Sequence, residues 1–326
     1  MLRKSKIIKE NISMAIKLGD MPANILTPTK LALEAKTLHS SIITKVLNED
    51  MMSKLGMGLL LGVSAGSEEE ARLIVMEYKG ANDDSKPTVL IGKGLTFDMG
   101  GNSIKPSSNL HRMKYDMLGA GSVMAAMKSA AELELPINVV GIIPASENLI
   151  NGRATKPGDV HTSMSGLTVD IRNTDAEGRL ILADALTYAQ ESFNPESITT
   201  VATLTGAVMY ALGTTHTALF GNKSAKKTIK DFIRAGKKSK DLVWNMPLTK
   251  EHTEVMKGIE GVSDLINSEG KAGPGSTTAA AFLNEFVSED ISFTHLDIAA
   301  TASKEDIVTG RPIKLLVQYL ESKCKQ

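Results

Sequence analysis

Asn173–Ala189 reads NTDAEGRLILADALTYA, and the chain changes state inside it. From Leu180 onward the run is apolar with helical spacing. Before it, Asp175, Glu177 and Arg179 occupy alternate positions. Alternate residues share a side only in extended chain; on a helix they do not face each other. Two carboxylates and a guanidinium therefore project together only if the segment is still a loop or strand end where they stand. That is where an α/β scaffold places its site. A structural reading competes: Thr174-x-x-Glu177 has the form of a capping box, with Thr174 as N-cap and Asp175 at the positive end of the helix dipole.

Outward from this segment, strand-like and helix-like runs alternate. Residues 5–18 carry Ile8, Ile12, Ala15 and Ile16 at helical spacing. Residues 20–29 read as a turn, and Pro28 opens a helix capped by Thr27, whose apolar face runs through Leu31, Ala35, Leu38, Ile42 and Val46. Short apolar runs at 58–63, 72–78, 88–92, 137–143, 167–171, 198–204 and 292–298 read as strands. The stretch 81–87 reads as a turn and 151–165 as a loop. Helices are expected at 120–133, 178–191, 223–240, 276–287 and 313–320. Strands alternating with helices imply crossover connections. The fold class is α/β: a largely parallel mixed β-sheet flanked by helices on both faces, in a single domain over residues 1–326.

The 326 residues are 42% hydrophobic but only 4% aromatic, so the core must be aliphatic and rich in methionine. Lys plus Arg and Asp plus Glu both number 37, and this zero balance lends no support to nucleic-acid binding. The one cysteine, Cys324, permits no intrachain disulfide, which suits a reducing compartment. The N-terminus is charged throughout and lacks the apolar core of a signal peptide, and no apolar run approaches membrane-spanning length. The six histidines are scattered without an HExxH pattern, which argues against a histidine-based zinc site.

After the apolar run 88–92 comes Gly92–Pro106, GKGLTFDMGGNSIKP, and then HRMKYDML. Together they supply Lys93, Asp98, Lys105 and Asp116. The lysine comes early and is followed by glycine, so the stretch fails the phosphate-loop pattern. If this loop and the one holding Asp175 and Glu177 meet at one sheet edge, four carboxylates converge. Unpaired, they repel and raise one another's pKa values; divalent cations remove that penalty, and an oxygen-rich set with a shared carboxylate suits a two-metal centre. A charged lysine beside it can polarise a substrate carbonyl, and a neutral one can ligate a metal. Solvated loop charges are the alternative, which spacing alone leaves open.

These motifs, with KYDMLGA (114–120), ENLINGRATKPGDV (147–160), TLTGA (203–207) and HLDIAATA (295–302), resemble the leucine aminopeptidase family, the two-metal cytosol aminopeptidases called family M17. The resemblance covers about 20–320. It implies a metallo-aminopeptidase that removes the N-terminal residue, leucine and similar, from peptides through a water activated by two divalent ions, Zn²⁺ or Mn²⁺ with Mg²⁺ as a third candidate. It implies that Asp98 and Glu177 are shared between the metals, that Lys93 and Asp116 complete the tightly held site, and that Asp175 completes the exchangeable one. Lys105 becomes the electrophile on the substrate carbonyl, and Arg179 the seat of a bicarbonate ion acting as general base. Met113, Asn173, Thr203, Leu204 and Gly206 match positions lining the substrate pocket. The family is typically a cytoplasmic homo-hexamer, with no membrane and no nucleic-acid partner required.

Met99, Asn102 and Ser303 depart from the family pattern; none stands at a ligand position, so they bear on specificity. Family members usually carry a further N-terminal domain, and residues 1–20 resemble the helix that connects to it, so the expectation is a chain without that domain. The rival reading is a non-catalytic oligomeric binding protein on the same fold, DNA-associated for example. A binding role would not need the full set Lys93, Asp98, Lys105, Asp116, Asp175, Glu177 and Arg179. Under the metal reading Thr174 can still cap the helix, but Glu177 cannot both reach back to the cap and bridge two metals.

Overall fold

The computed structural model describes residues 2–81, 85–270 and 273–324. In chain order the elements are α1 (Leu2–Asp20), α2 (Pro28–Lys36), β1 (Ile42–Leu47), α3 (Glu49–Lys54), α4 (Gly58–Ser64), β2 (Arg72–Lys79), β3 (Thr88–Gly92) and β4 (Gly94–Asp98). A 3-10 helix (Leu110–Met117) runs into α5 (Leu118–Glu132), followed by β5 (Asn138–Asn148), β6 (Val160–Thr162), β7 (Thr168–Asp170), α6 (Gly178–Phe193) and β8 (Ser197–Ala202). The rest is α7 (Ala207–Leu212), β9 (Thr217–Gly221), α8 (Lys226–Ser239), β10 (Val243–Asn245), α9 (Lys250–Glu254), β11 (Leu265–Ile266), α10 (Gly275–Asn284), β12 (Ser292–Asp297) and α11 (Ile313–Lys323).

Nine strands form the main sheet in the order β1-β2-β5-β3-β8-β12-β9-β10, with β4 beside the far end of β5. The centre, β5-β3-β8-β12, is parallel; β2 runs antiparallel to β5, β1 to β2, and β9 to β12. The sheet is apolar on both faces because its strands alternate between two cores. Val89 and Ile91 of β3 pack with Val140 and Ile142 of β5, Leu73 and Val75 of β2, and the inner side of α4, α6 and α10. Leu90, Val139, Ile143, Ile74 and Met76 face the other way, against α2, α5, α8 and α11. Period-two side chains on a doubly covered sheet produce the unbroken apolar runs of the sequence.

Four readings of the sequence change. Residues 58–63 form a helix, not a strand: Asp184, far along the chain, accepts hydrogen bonds from Leu59 N and Leu60 N at 3.0 and 2.9 Å and caps α4 from outside. Helix α2 stops at Lys36, and Ile42 and Val46 belong to β1, paired with Tyr78 and Ile74. A spacing of four fits both a helix face and one side of a strand. The glycine-rich loop contains strand β4, and 151–165 contains the short strand β6, paired antiparallel with β7. Part of the expected turn at 81–87 lies outside the described residues.

Candidate metal centre

The site gathers at the carboxyl ends of the parallel strands, the crevice position of open α/β sheets. Lys93 follows β3, Thr203 follows β8, and Asn148 and Asp297 close β5 and β12. Lys93 is pinned through its backbone: its N–H donates to Val201 O at 3.0 Å and its carbonyl accepts from Ala120 N at 2.9 Å. Between Leu95 and Phe97 the register of β4 against β5 slips by one residue, a bulge just before Asp98 that turns the strand end.

The amine of Lys93 lies 2.7 Å from Asp116 Oδ2, 2.8 Å from Glu177 Oε1 and 3.2 Å from Thr203 O. It passes directly over the start of α6. A Cβ on residue 178 would stand 2.7 Å from Lys93 Cε and Nζ, so glycine at 178 makes room for the lysine. Lys105 Nζ lies 2.8 Å from Asp98 Oδ2 and also pairs with Asp175 Oδ1. Asp98 Oδ1 accepts from Gly100 N and Asn148 Nδ2. Gly100 adopts φ +93°, and a Cβ there would meet Asp175 Oδ1 at 2.8 Å. Thr203 Oγ1 donates to Asp116 Oδ1 at 2.6 Å.

Asp98, Asp175 and Glu177 each offer an oxygen, all within 4.8 Å of one another. Lys93, Asp98, Asp116 and Glu177 are buried; Lys105 and Asp175 form the solvent-facing side. Burial pushes the carboxyls of Asp116, Asp175 and Glu177 up, and their acidic neighbours push them further, while the lysines pull them back. Burial acts to lower both lysine pKa values, but the surrounding carboxylates overcome it and raise them. Four carboxylates thus share two ammonium groups, and Glu177 Oε2 is buried with no hydrogen-bond partner among the described residues. This donor set, all oxygen and amine, with one oxygen unsatisfied and excess negative charge, fits divalent cations.

Arg179 lies in the first turn of α6. Its Nη1 donates to Asn267 O at 2.7 Å. Burial lowers its pKa to about 10, with Glu177, Asp297 and Glu269 acting the other way. A buried guanidinium near a helix N-terminus is a ready anion site.

The capping box does not form. Glu177 itself stands at the N-cap of α6 and makes no side-chain cap bond. Thr174 instead ties the two loops together, donating to Gly100 O and accepting from Ser103 N, both at 2.7 Å. Of the expected pocket residues, Thr203 touches the cluster directly. Asn173 Oδ1 accepts from Asp175 N at 2.8 Å, Leu204 N donates to Asp297 Oδ1, Met113 is half-buried in the 3-10 helix, and Gly206 is exposed before α7.

The sequence reading passed over Asn148, Asn267 and Asp184. Asn148 Nδ2 bridges Asp98 Oδ1 and Thr174 O, at 2.9 and 3.0 Å. Its place in ENLINGRATKPGDV was the available signal. Asn267 sits in a polar, glycine-bearing stretch with no local pattern to mark it.

Comparison with known proteins adds to this geometry. The model of the cytosol aminopeptidase family, catalytic domain, matches residues 13–317. A probable cytosol aminopeptidase of Acidithiobacillus ferrooxidans is 49% identical over 314 residues, 95% of this chain and 61% of that protein. Another, of Nitrosococcus oceani, is 46% identical over 331 residues, 100% of this chain and 65% of that protein. The chain therefore spans less than two thirds of the length of these curated relatives. The structure of the bottromycin maturation enzyme BotP superposes with a TM-score of 0.91 at 31% identity, covering 99% of this chain and 71% of that one. A structure of the same enzyme in complex with Mn gives a TM-score of 0.91 at 32% identity, covering 98% and 71%.

Proposed function

This chain belongs to the cytosol aminopeptidase family, and from that premise we propose that it is a metal-dependent exopeptidase releasing the N-terminal residue, leucine and similar, from peptides. The observation that carries the reading is the convergence of Asp98, Asp175 and Glu177 within 4.8 Å, beside two lysines and with one Glu177 oxygen unsatisfied. Asp98 and Glu177 would be shared by two divalent ions, Zn²⁺ or Mn²⁺ with Mg²⁺ as the third candidate. Lys93 and Asp116 would complete one site and Asp175 the other. When bound, such a pair polarises a substrate carbonyl and lowers the pKa of water towards neutrality.

The remaining roles fall to the chain itself. Lys105, on the open side, donates to the carbonyl oxygen as negative charge builds there. Arg179 would hold a bicarbonate ion, which when bound would supply a base beside the attacking water. Met113, Asn173, Thr203, Leu204 and Gly206 shape the pocket for the N-terminal side chain. We further propose a cytoplasmic homo-oligomer, hexameric as in the family, acting on peptides without membrane or nucleic-acid partners. Among the described residues no helix is long and apolar enough to cross a membrane. Light scattering at micromolar concentration tests the assembly, and a monomeric mass would overturn that part.

The activity is tested on leucine p-nitroanilide after metal removal and restoration with Zn²⁺, Mn²⁺ or Mg²⁺. Activity that disappears on chelation and returns with a metal supports the reading. Absence of turnover with every metal, in protein shown to be folded, sinks it.

A further inference from the structure

Residues 171–177, which carry Asp175 and lead into Glu177, form neither helix nor strand. Their backbone groups lack a ladder and need partners from elsewhere. One side chain supplies four of those bonds. Asn267 is fully buried, immediately after β11, the two-residue strand that pairs with β7. Its Oδ1 accepts from Arg172 N at 2.9 Å and Asn173 N at 3.2 Å, and its Nδ2 donates to Asn173 O at 2.6 Å and Ala176 O at 3.3 Å. An amide side chain has two donors and two acceptor sites, and all four are used on one loop. The main chain of Asn267 adds two more bonds. Its N–H donates to Asp170 O at 3.1 Å, and its carbonyl accepts from Arg179 Nη1 at 2.7 Å. One residue thus holds the loop before Asp175, the carbonyl just before Glu177, and the guanidinium after it.

We infer that Asn267 is a positioning residue for the metal centre: it fixes the separation of Asp175, Glu177 and Arg179 without touching metal or substrate. The inference rests on the metal-centre reading above. No other common side chain has this combination at this length. Aspartate keeps the acceptor oxygen but replaces the NH2 group, and with it both donors, by a carboxylate oxygen facing the Asn173 and Ala176 carbonyls. Alanine leaves three backbone groups of the loop, Arg172 N, Asn173 N and Ala176 O, without partners, while Asn173 O keeps only the Ala176 N–H at 3.1 Å. Groups that hold metal ligands in place typically govern metal affinity by about 10–100-fold.

The test is Mn²⁺ binding by calorimetry to the folded full chain, comparing wild type with Asn267→Ala and Asn267→Asp. Asp241→Asn serves as control, since Asp241 is a buried partner of Arg311 outside the metal cluster. Circular dichroism and thermal melting establish that each protein is folded at the assay temperature. The expected result is a loss of Mn²⁺ affinity of tenfold or more in both Asn267 variants, with the control unchanged. Wild-type affinity in a folded Asn267 variant overturns this inference and leaves the metal centre standing. Failure of wild type to bind Mn²⁺ overturns both. If alanine does not fold, the isosteric aspartate decides alone. A purely structural role would lower the melting temperature while leaving Mn²⁺ affinity at 25 °C intact, and that outcome also overturns it.

Discussion

Lys93 Nζ lies 2.8 Å from Glu177 Oε1, with both side chains almost wholly shielded from solvent. Burial acts to lower the pKa of the amine, but Asp116, Glu177 and Asp98 outweigh it and hold the amine charged. An ammonium cannot ligate a metal, so an ion taking Lys93 as a ligand must displace that proton. Mn²⁺ binding is therefore expected to release protons, and its affinity to rise with pH by about tenfold per unit for each proton released. Calorimetry in buffers of different ionisation heat measures this directly. A binding heat independent of buffer would remove Lys93 from the ligand set.

On the proposed function, substitutions at Asp98 and Arg179 should separate metal holding from proton transfer. Asp98 is bonded within the carboxylate cluster, whereas the guanidinium of Arg179 turns to Asn267 O. Asp98→Ala is expected to lose bound metal and activity together. Arg179→Ala is expected to keep its metal and turn over about 10²–10³-fold more slowly, the range for losing one stabilising or proton-handling group. Elemental analysis of the purified variants beside the p-nitroanilide assay distinguishes them. Equal metal loss in both would refute the separate role of Arg179.

Much of this arrangement was legible in the sequence because it is local. Lys93, Asp98 and Asp116 fall within a single crossover, and Asp175 stands in the non-helical segment that the alternation asked for; but Glu177 is the N-cap of α6 and Arg179 lies in its first turn, so the three do not share one extended stretch. The two-faced sheet was legible from β3 and β5, whose unbroken apolar runs belong to strands covered on both sides. What escaped depends on distant partners. Helix α4 looked like a strand because its cap, Asp184, is supplied by α6. Strand β4 is hidden by the glycines around it, since its pairing with β5 and not its composition makes it a strand. Asn267 carries no local signal; its meaning comes from β11 lying beside β7. The Thr174 capping box failed for a related reason, as Gly100 and Ser103 bid for the same hydroxyl.

Asp184 yields a stability prediction independent of the metal. Its Oδ2 takes the N–H groups of Leu59 and Leu60 in the interior, and its Oδ1 that of half-buried Met164 at 2.8 Å. Removing the acceptor leaves two buried donors and one half-buried donor unpaired, each buried one worth roughly 1–3 kcal/mol. Asp184→Ala is expected to destabilise the fold by about 3–5 kcal/mol, allowing for partial relaxation. Asp184→Asn retains one acceptor oxygen and should cost less. Urea denaturation measures both, and an alanine cost below about 1 kcal/mol would mean that α4 does not depend on this cap.

His295 sets an acid limit on stability. It is fully buried on β12, its Nδ1 lies 2.8 Å from Thr200 Oγ1, and its ring stacks on Phe220 with centroids 6.0 Å apart. Its Nε2 has no hydrogen-bond partner among the described residues. Burial, with the charge of Arg179 adding to it, lowers its pKa from 6.5 to about 3. Between those values the unfolded chain holds a proton on this ring and the folded chain does not. Stability linked to His295 is therefore complete above pH 6.5 and falls as the pH drops towards 3, by about 1.4 kcal/mol per unit. His295→Gln removes the titration. Whatever offset it introduces at pH 7.5, the variant should gain about 2 kcal/mol on wild type when both are taken to pH 5. Carboxylates shared by the two proteins cancel in that difference. Paired urea titrations at the two pH values measure it, and an offset that stays constant would show that the histidine is protonated in the fold.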